Sequence, residues 1–345
     1  MTEVDLFSQA LAEVGDYEIT LAAAQTVTAA TAANPVVMTV ATHGYASGDL
    51  VLVTEMDEMT PINGRVFKIA VLTASTFQLV GEDGTDYTAE TTGGLVQKLA
   101  KSRHASEVFA KWDVARREVL ESYPWNDATA LTRLARLDSA KTITAATQAS
   151  PCQLTITGHG YASGDLALID GIVGMVQLNG RYFSLTVVDA NTVSIAEDAT
   201  TYDAYVSGGT ARKALTPLKP DFGYDYRYDL PSDCLRVLSI EEDNVVDQKA
   251  KWERAGDAFL TDIGITVRIR YLRLLKDPAR YKGLLIGAFA SWLAYRIAWR
   301  VTQNRGKEEA QRDRAEDQMR MAHASDGREQ GPSDLVESDW VTARY

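Results

Sequence analysis

The spacing of apolar and polar positions changes several times along this chain. Over residues 2–15, Leu6, Phe7, Ala10, Leu11 and Val14 share one face at helical spacing, and Gly15 is a suitable stop, so a short helix is predicted. At Val36 the period drops to two. Val36, Met38 and Val40 alternate with Thr39 and Ala41, which suits a half-buried strand. Further strands are expected over 50–53, 66–71 and 76–80, with Asn63-Gly64 as a hairpin signal. The helical period returns over 103–123, where Val108, Trp112, Ala115 and Val119 form the apolar face and Pro124 ends it. Asp127 then reads as the N-cap of a second helix over 128–137.

Residues 217–275 read as β again, with strands over 235–240, 245–252, 258–261 and 265–272. Asp277-Pro278 predicts the start of a long helix reaching about residue 304, with Leu284, Leu285, Ala288, Trp292, Tyr295 and Trp299 as its apolar positions. Arg305-Gly306 is a candidate break. Residues 307–324 form a charged helix with few apolar positions, expected to pack weakly on its own chain or reach into solvent. Residues 325–345 are polar and expected to be flexible, yet they end in Trp340, Val341, Arg344 and Tyr345.

Two stretches, 26–97 and 142–212, carry one pattern written twice. Both hold the octet His-Gly-Tyr-Ala-Ser-Gly-Asp-Leu, at 43–50 and 159–166, then Asn-Gly-Arg-x-Phe and a closing Gly-Gly. About five short strands in each suggest a small barrel or sandwich. Only two copies occur, between unlike segments, which excludes a solenoid. The expected fold class is therefore α+β. A helical bundle core with a β-rich segment spans 1–25, 99–141 and 213–325. Two small all-β modules, 26–98 and 142–212, are inserted at loop tips, and 326–345 is a tail.

Charge and chemistry narrow the function. The 345 residues carry a net charge of -12 and a pI near 4.9, which argues against a general nucleic-acid-binding surface. Cys152 and Cys234 form no disulfide framework or zinc spacing, so a reducing compartment is expected. There is no basic and apolar leader pattern, and the apolar stretch 283–293 is too short to span a bilayer. His43, Ser47 and Asp49, repeated as His159, Ser163 and Asp165, are residue types of a catalytic triad or metal site. They crowd one glycine turn, however, and read as a structural turn with Gly44, Gly48, Gly160 and Gly164. Asp243, Asp247 and Asp257 do not match a calcium loop. With no phosphate-binding glycine motif, no enzyme, cofactor or metal is expected.

The segments outside the repeats carry two phrases. Residues 118–126 read Glu-Val-Leu-Glu-Ser-Tyr-Pro-Trp-Asn, with Pro124, Trp125 and Asn126 at the end. Residues 222–238 contain Tyr224, Tyr226, Tyr228, Leu230, Pro231, Asp233, Cys234 and Leu235 in the order Gly-Tyr-x-Tyr-x-Tyr-x-Leu-Pro-x-Asp-Cys-Leu. Together with the Asp277-Pro helix and the N-terminal helix, these resemble the tail tubular protein A group of tailed-bacteriophage head-to-tail adaptors. Asp127 departs from that group's usual aromatic. The repeats resemble a small β module of phage proteins similar to the FCCH-like domain of ubiquitin-activating enzyme, which implies no ubiquitin chemistry. The resemblance implies a virion protein assembled in the bacterial cytoplasm, a dodecameric ring under the portal. It would extend the DNA channel and hold the next tail or nozzle protein, with double-stranded DNA passing unbound and no membrane partner. It also points to the tail residues Trp340, Val341, Arg344 and Tyr345 as portal-binding. Two other classes stay open: a decoration or adhesion protein reading a surface ligand with aromatics of its modules, and a hydrolase built on the octets.

Overall fold

The computed structural model describes residues 1–16, 19–91, 93–99, 103–220, 222–242, 245–246 and 251–329. The chain forms two compact units. One is Met1–Ala130 together with the chain from Leu272 onward, and the other is Leu131–Tyr271.

The first unit holds four α-helices: α1 (Glu3–Val14), α2 (Arg103–Ser122), α3 (Gly283–Thr302) and α4 (Arg305–Asp326). α1 is where the sequence predicted it. Thr2 and Asp5 form a capping box, and Gly15 closes the helix at φ 84°. Its five predicted apolar positions are all buried. Trp112 of α2 packs edge-on against Phe7 at 5.7 Å and Phe289 of α3 at 5.5 Å. Asp277 caps only the single 3-10 turn Pro278–Arg280, and α3 begins anew at Gly283. The break before α4 falls at Gln303, in the left-handed region at φ 49°, and Asn304 then caps α4 through Lys307 N–H. α4 does not stand off: it packs on α3 and buries Ala315, Met319 and Ala322.

The first module is a seven-stranded antiparallel sheet. Its order is Gln25–Thr26, Gly93–Lys98, Leu50–Met56, Arg65–Val71, Thr76–Leu79, Val37–Thr39, Ala29–Ala30. Residues 25–30 pair at both edges, with Gly93–Lys98 and then with Val37–Thr39, so the sheet closes on itself. Val36, Met38 and Val40 all point inward, as the alternation required.

In the second unit the second module repeats this closure. Lys141–Thr142 pairs with Ser207–Leu215, and Ala145–Ala146 with Cys152–Thr155. Ser207–Leu215 also pairs onward with Thr129–Leu137, and Thr266–Arg273, Cys234–Glu242 and Val245–Val246 continue an eleven-stranded sheet. A separate three-stranded sheet joins Tyr226–Asp229, Ala258–Thr261 and Trp252–Ala255.

Two sequence expectations differ from the structure. The helical bundle core does not hold: the chain is mostly β, in three sheets, and the four α-helices among the described residues all lie in the first unit. The predicted helix over 128–137 is the strand Thr129–Leu137. One helical turn does form, with Thr129 N–H and Oγ1 both donating to Trp125 O. Ladder bonds to Leu215 and Ala214 then override the helical spacing. Asp127, expected to cap that helix, pairs instead with Lys282 at 3.0 Å.

Candidate functional site

The octets hold the residue types of a catalytic triad or metal site. Their glycines do take positive φ, 65° and 93° at Gly44 and Gly48, and 60° and 95° at Gly160 and Gly164. His43 is buried. Its Nδ1 accepts from Tyr45 N–H at 3.0 Å, so its Nε2 is the protonated nitrogen and donates to Thr73 O at 3.1 Å. His159 repeats this with Tyr161 N–H at 2.9 Å and Asp189 O at 2.8 Å. Ser47 and Ser163 accept from Val71 N–H and Val187 N–H. Asp49 and Asp165 each accept from a backbone N–H of their own turn at 2.8 Å and pair with Lys98 and Lys213. Burial works to raise the Asp165 carboxyl, but the Ala162 N–H and Lys213 hold it below the usual range. Both ring nitrogens of each imidazole are engaged by backbone groups, and each serine faces a strand rather than its histidine. These octets are pins that lock a turn to two strands.

The module aromatics behave likewise. Phe67 and Phe183 are buried in the two cores, and Tyr45, Tyr87 and Tyr202 pack against them. An adhesive aromatic face would need them outside. Among the described residues, no group of three His, Cys, Asp or Glu side chains could hold a metal. Asp257 sits in the turn between Trp252–Ala255 and Ala258–Thr261, while Asp243 and Asp247 lie outside the described residues.

The two adaptor-like phrases are brought to different places. Trp125 follows Pro124 at the end of α2, is buried, and donates from Nε1 to Val119 O at 2.8 Å. Asn126 clasps the end of α4: its Nδ2 donates to Asp326 O at 2.8 Å, and its N–H to the Asp326 carboxylate at 3.1 Å. His323 stacks on Tyr123 at 4.5 Å beside Trp125. Burial lowers the His323 imidazole and raises the Asp326 carboxyl. In the second unit, Tyr228 is buried and donates to Ile263 O at 3.0 Å, and Tyr226 packs on Gly264. Leu230 N–H donates to Asp257 O, Cys234 N–H to Pro231 O, and Tyr271 OH to Asp233 at 3.2 Å. Tyr224 is half-buried beside them, and Leu235 O accepts from Arg254. Trp340, Val341, Arg344 and Tyr345 lie outside the described residues.

One site had no sequence signal. Glu3, 2% exposed, leads α1 into the hairpin end of the first module. Its N–H donates to Gly64 O at 2.7 Å. Its carboxylate accepts from Val66 N–H at 2.7 Å, Trp112 Nε1 at 2.7 Å and Arg116 at 3.3 Å. Burial raises this carboxyl, against the pull of Arg116 and Arg65. Beside it, Arg65 and Glu82 make a bidentate pair at 2.7 and 2.8 Å.

Residues 33–99 and 153–214, most of the two modules, match the family model described as the ubiquitin-activating enzyme E1 FCCH domain. No curated protein matches the chain.

Proposed function

We propose that the chain is a structural head-to-tail adaptor of a tailed bacteriophage, working as a homo-oligomeric ring beneath the portal. The observation that carries this reading is the clasp of Asn126, next to the buried Trp125, on Asp326. The adaptor-like phrase fixes the end of α4, after which the sequence runs into the expected tail. That segment ends in Trp340 and Tyr345, aromatic types that serve as anchors in a partner's pocket. The mixed-sign face of α4, with Arg312, Glu316, Asp317 and Arg320 in surface pairs, suits a neighbour of the same kind. A net charge of -12 suits a channel that lets DNA slide past without adhering.

Particle mass in solution, alone and with portal protein, tests the reading. A ring-sized assembly is expected, and a strict monomer in the presence of portal would overturn it. Truncation after Glu329 is expected to abolish portal binding. Undiminished binding would remove the tail from the interface.

A further inference from the structure

The first module shows what its hairpin end can hold, and the second module has the same end. Asn63 and Asn179 each accept at 2.8 Å from the preceding strand, through Met56 N–H and Ile172 N–H. Gly64 and Gly180 each donate at 2.8 Å, to Val53 O and Ile169 O. Arg65 and Arg181 lie over Phe67 and Phe183 at 4.7 Å. Val66 and Tyr182 hold the same ladder position, opposite Leu52 and Leu168. Tyr182 therefore turns its N–H to the side on which Val66 N–H meets the Glu3 carboxylate.

The surroundings of the second hairpin end are cationic. It borders a cavity of about 780 Å³ within the second unit, whose other walls are the strand Thr129–Leu137, Ile269 and the Asp229–Pro231 corner. Arg133 and Arg268 line it, and Arg133 lies over the Tyr182 ring at 4.9 Å. Neither arginine has a carboxylate partner among the described residues, whereas Arg181 is held by Glu197. Burial and the neighbouring Arg268 both lower the Arg133 guanidinium. Asp229 is the one acidic residue of the lining. In the first unit, a cation from the adjoining element, Arg116, completes the carboxylate's shell; here Arg133 and Arg268 stand in that role.

We propose that this cavity is a docking site for a helix N-terminus of a partner protein carrying Asp or Glu in its first turn. The carboxylate would accept from Tyr182 N–H and lie between Arg133 and Arg268, as Glu3 lies between Val66 N–H and Arg116. The inference concerns the second unit alone and does not depend on the adaptor reading.

The probe is an acetylated peptide of residues 2–15, the segment that fits the first module, added to the full chain at low salt. Fluorescence anisotropy is expected to show saturable binding. Hydrogen exchange is expected to place protection on residues 131–135 and 180–182. Binding should weaken roughly tenfold for the R133Q/R268Q double variant and for the peptide with Glu3→Gln, as loss of a charge-assisted bond requires. Should the double variant fail to fold, Arg133→Lys keeps the charge but loses the fork geometry and is expected to weaken binding too. Absent saturable binding, indifference to both changes, or protection on the first module would each overturn the proposal. If the peptide instead dissolved self-association of the chain, the occupant would be a second copy and the partner-protein assignment would fall.

Discussion

The two modules are near-copies that meet different neighbours, and one ion pair records the difference. Arg65–Glu82 and Arg181–Glu197 have the same bidentate geometry, and a tyrosine, Tyr87 or Tyr202, donates to each glutamate. In the first module the side chains are 7% and 5% exposed, because α1 seats Thr2 and Glu3 against Gly64–Val66. In the second they are 46% and 18% exposed. A sequence motif therefore fixes the geometry of a pair but not its energetic weight; the element that covers it does that.

The largest expected effect is at that pair. Glu82→Gln leaves Arg65 buried without its charge partner and should cost about 3–5 kcal/mol. The same change at Glu197 should cost less than about 1 kcal/mol. Denaturant melts of the two variants check this, and equal losses would break the comparison. Glu3→Ala strands the buried Val66 N–H and Trp112 Nε1 and leaves Arg116 with Asp113 as its carboxylate partner, and should cost roughly 3 kcal/mol. Its loss should appear as hydrogen exchange in α1 and the first module, with the second module unchanged. His43→Ala and His159→Ala remove the same two buried bonds in each module and should cost about 1–3 kcal/mol each. Here the modules are expected to agree to within about 1 kcal/mol, since the octets owe nothing to their neighbours.

The smallest effect is a pH dependence. Burial works to raise Glu82, but the Arg65 bonds outweigh it and hold the carboxyl below its ordinary 4.5; Arg181 does the same for Glu197. Each carboxylate thus contributes stability that is present above pH 4.5 and lost as pH falls through the lowered value. Glu3 has the opposite sign. Its raised carboxyl costs stability when ionised, so acid relieves it. Stability measured from about pH 6 down to about pH 3 should therefore fall, and Glu82→Gln should flatten the fall. An acid profile unchanged by that variant would contradict the assignment.

Much of each module was legible because its information is local: period-two apolar positions, an Asn-Gly turn, and an octet whose side chains bond their own turn. α1 and α2 were legible for the same reason, since the apolar stripe and its stop, Gly15 or Pro124, are local to one helix. The strand Thr129–Leu137 was not. Asp127, Leu131 and Leu134 fit helical spacing, and what decides the segment is Ser207–Leu215, some eighty residues on. That error also fed the expected bundle core, because it added a helix where a sheet runs through. Glu3 was invisible for a related reason: as sequence it is an ordinary first-turn acid, and its partners Val66, Trp112 and Arg116 are known only from the fold.

At the join between the units, Arg273 N–H donates to Ala128 O at 2.8 Å. The chain thus leaves for Leu131–Tyr271 and returns from it side by side, at neighbouring backbone positions of the first unit. A stretch with adjacent entry and exit behaves as a removable cassette, because splicing it out leaves a gap that a short turn can bridge. The second module and the sheet it continues form one such stretch, while Glu3 ties the first module into its own unit.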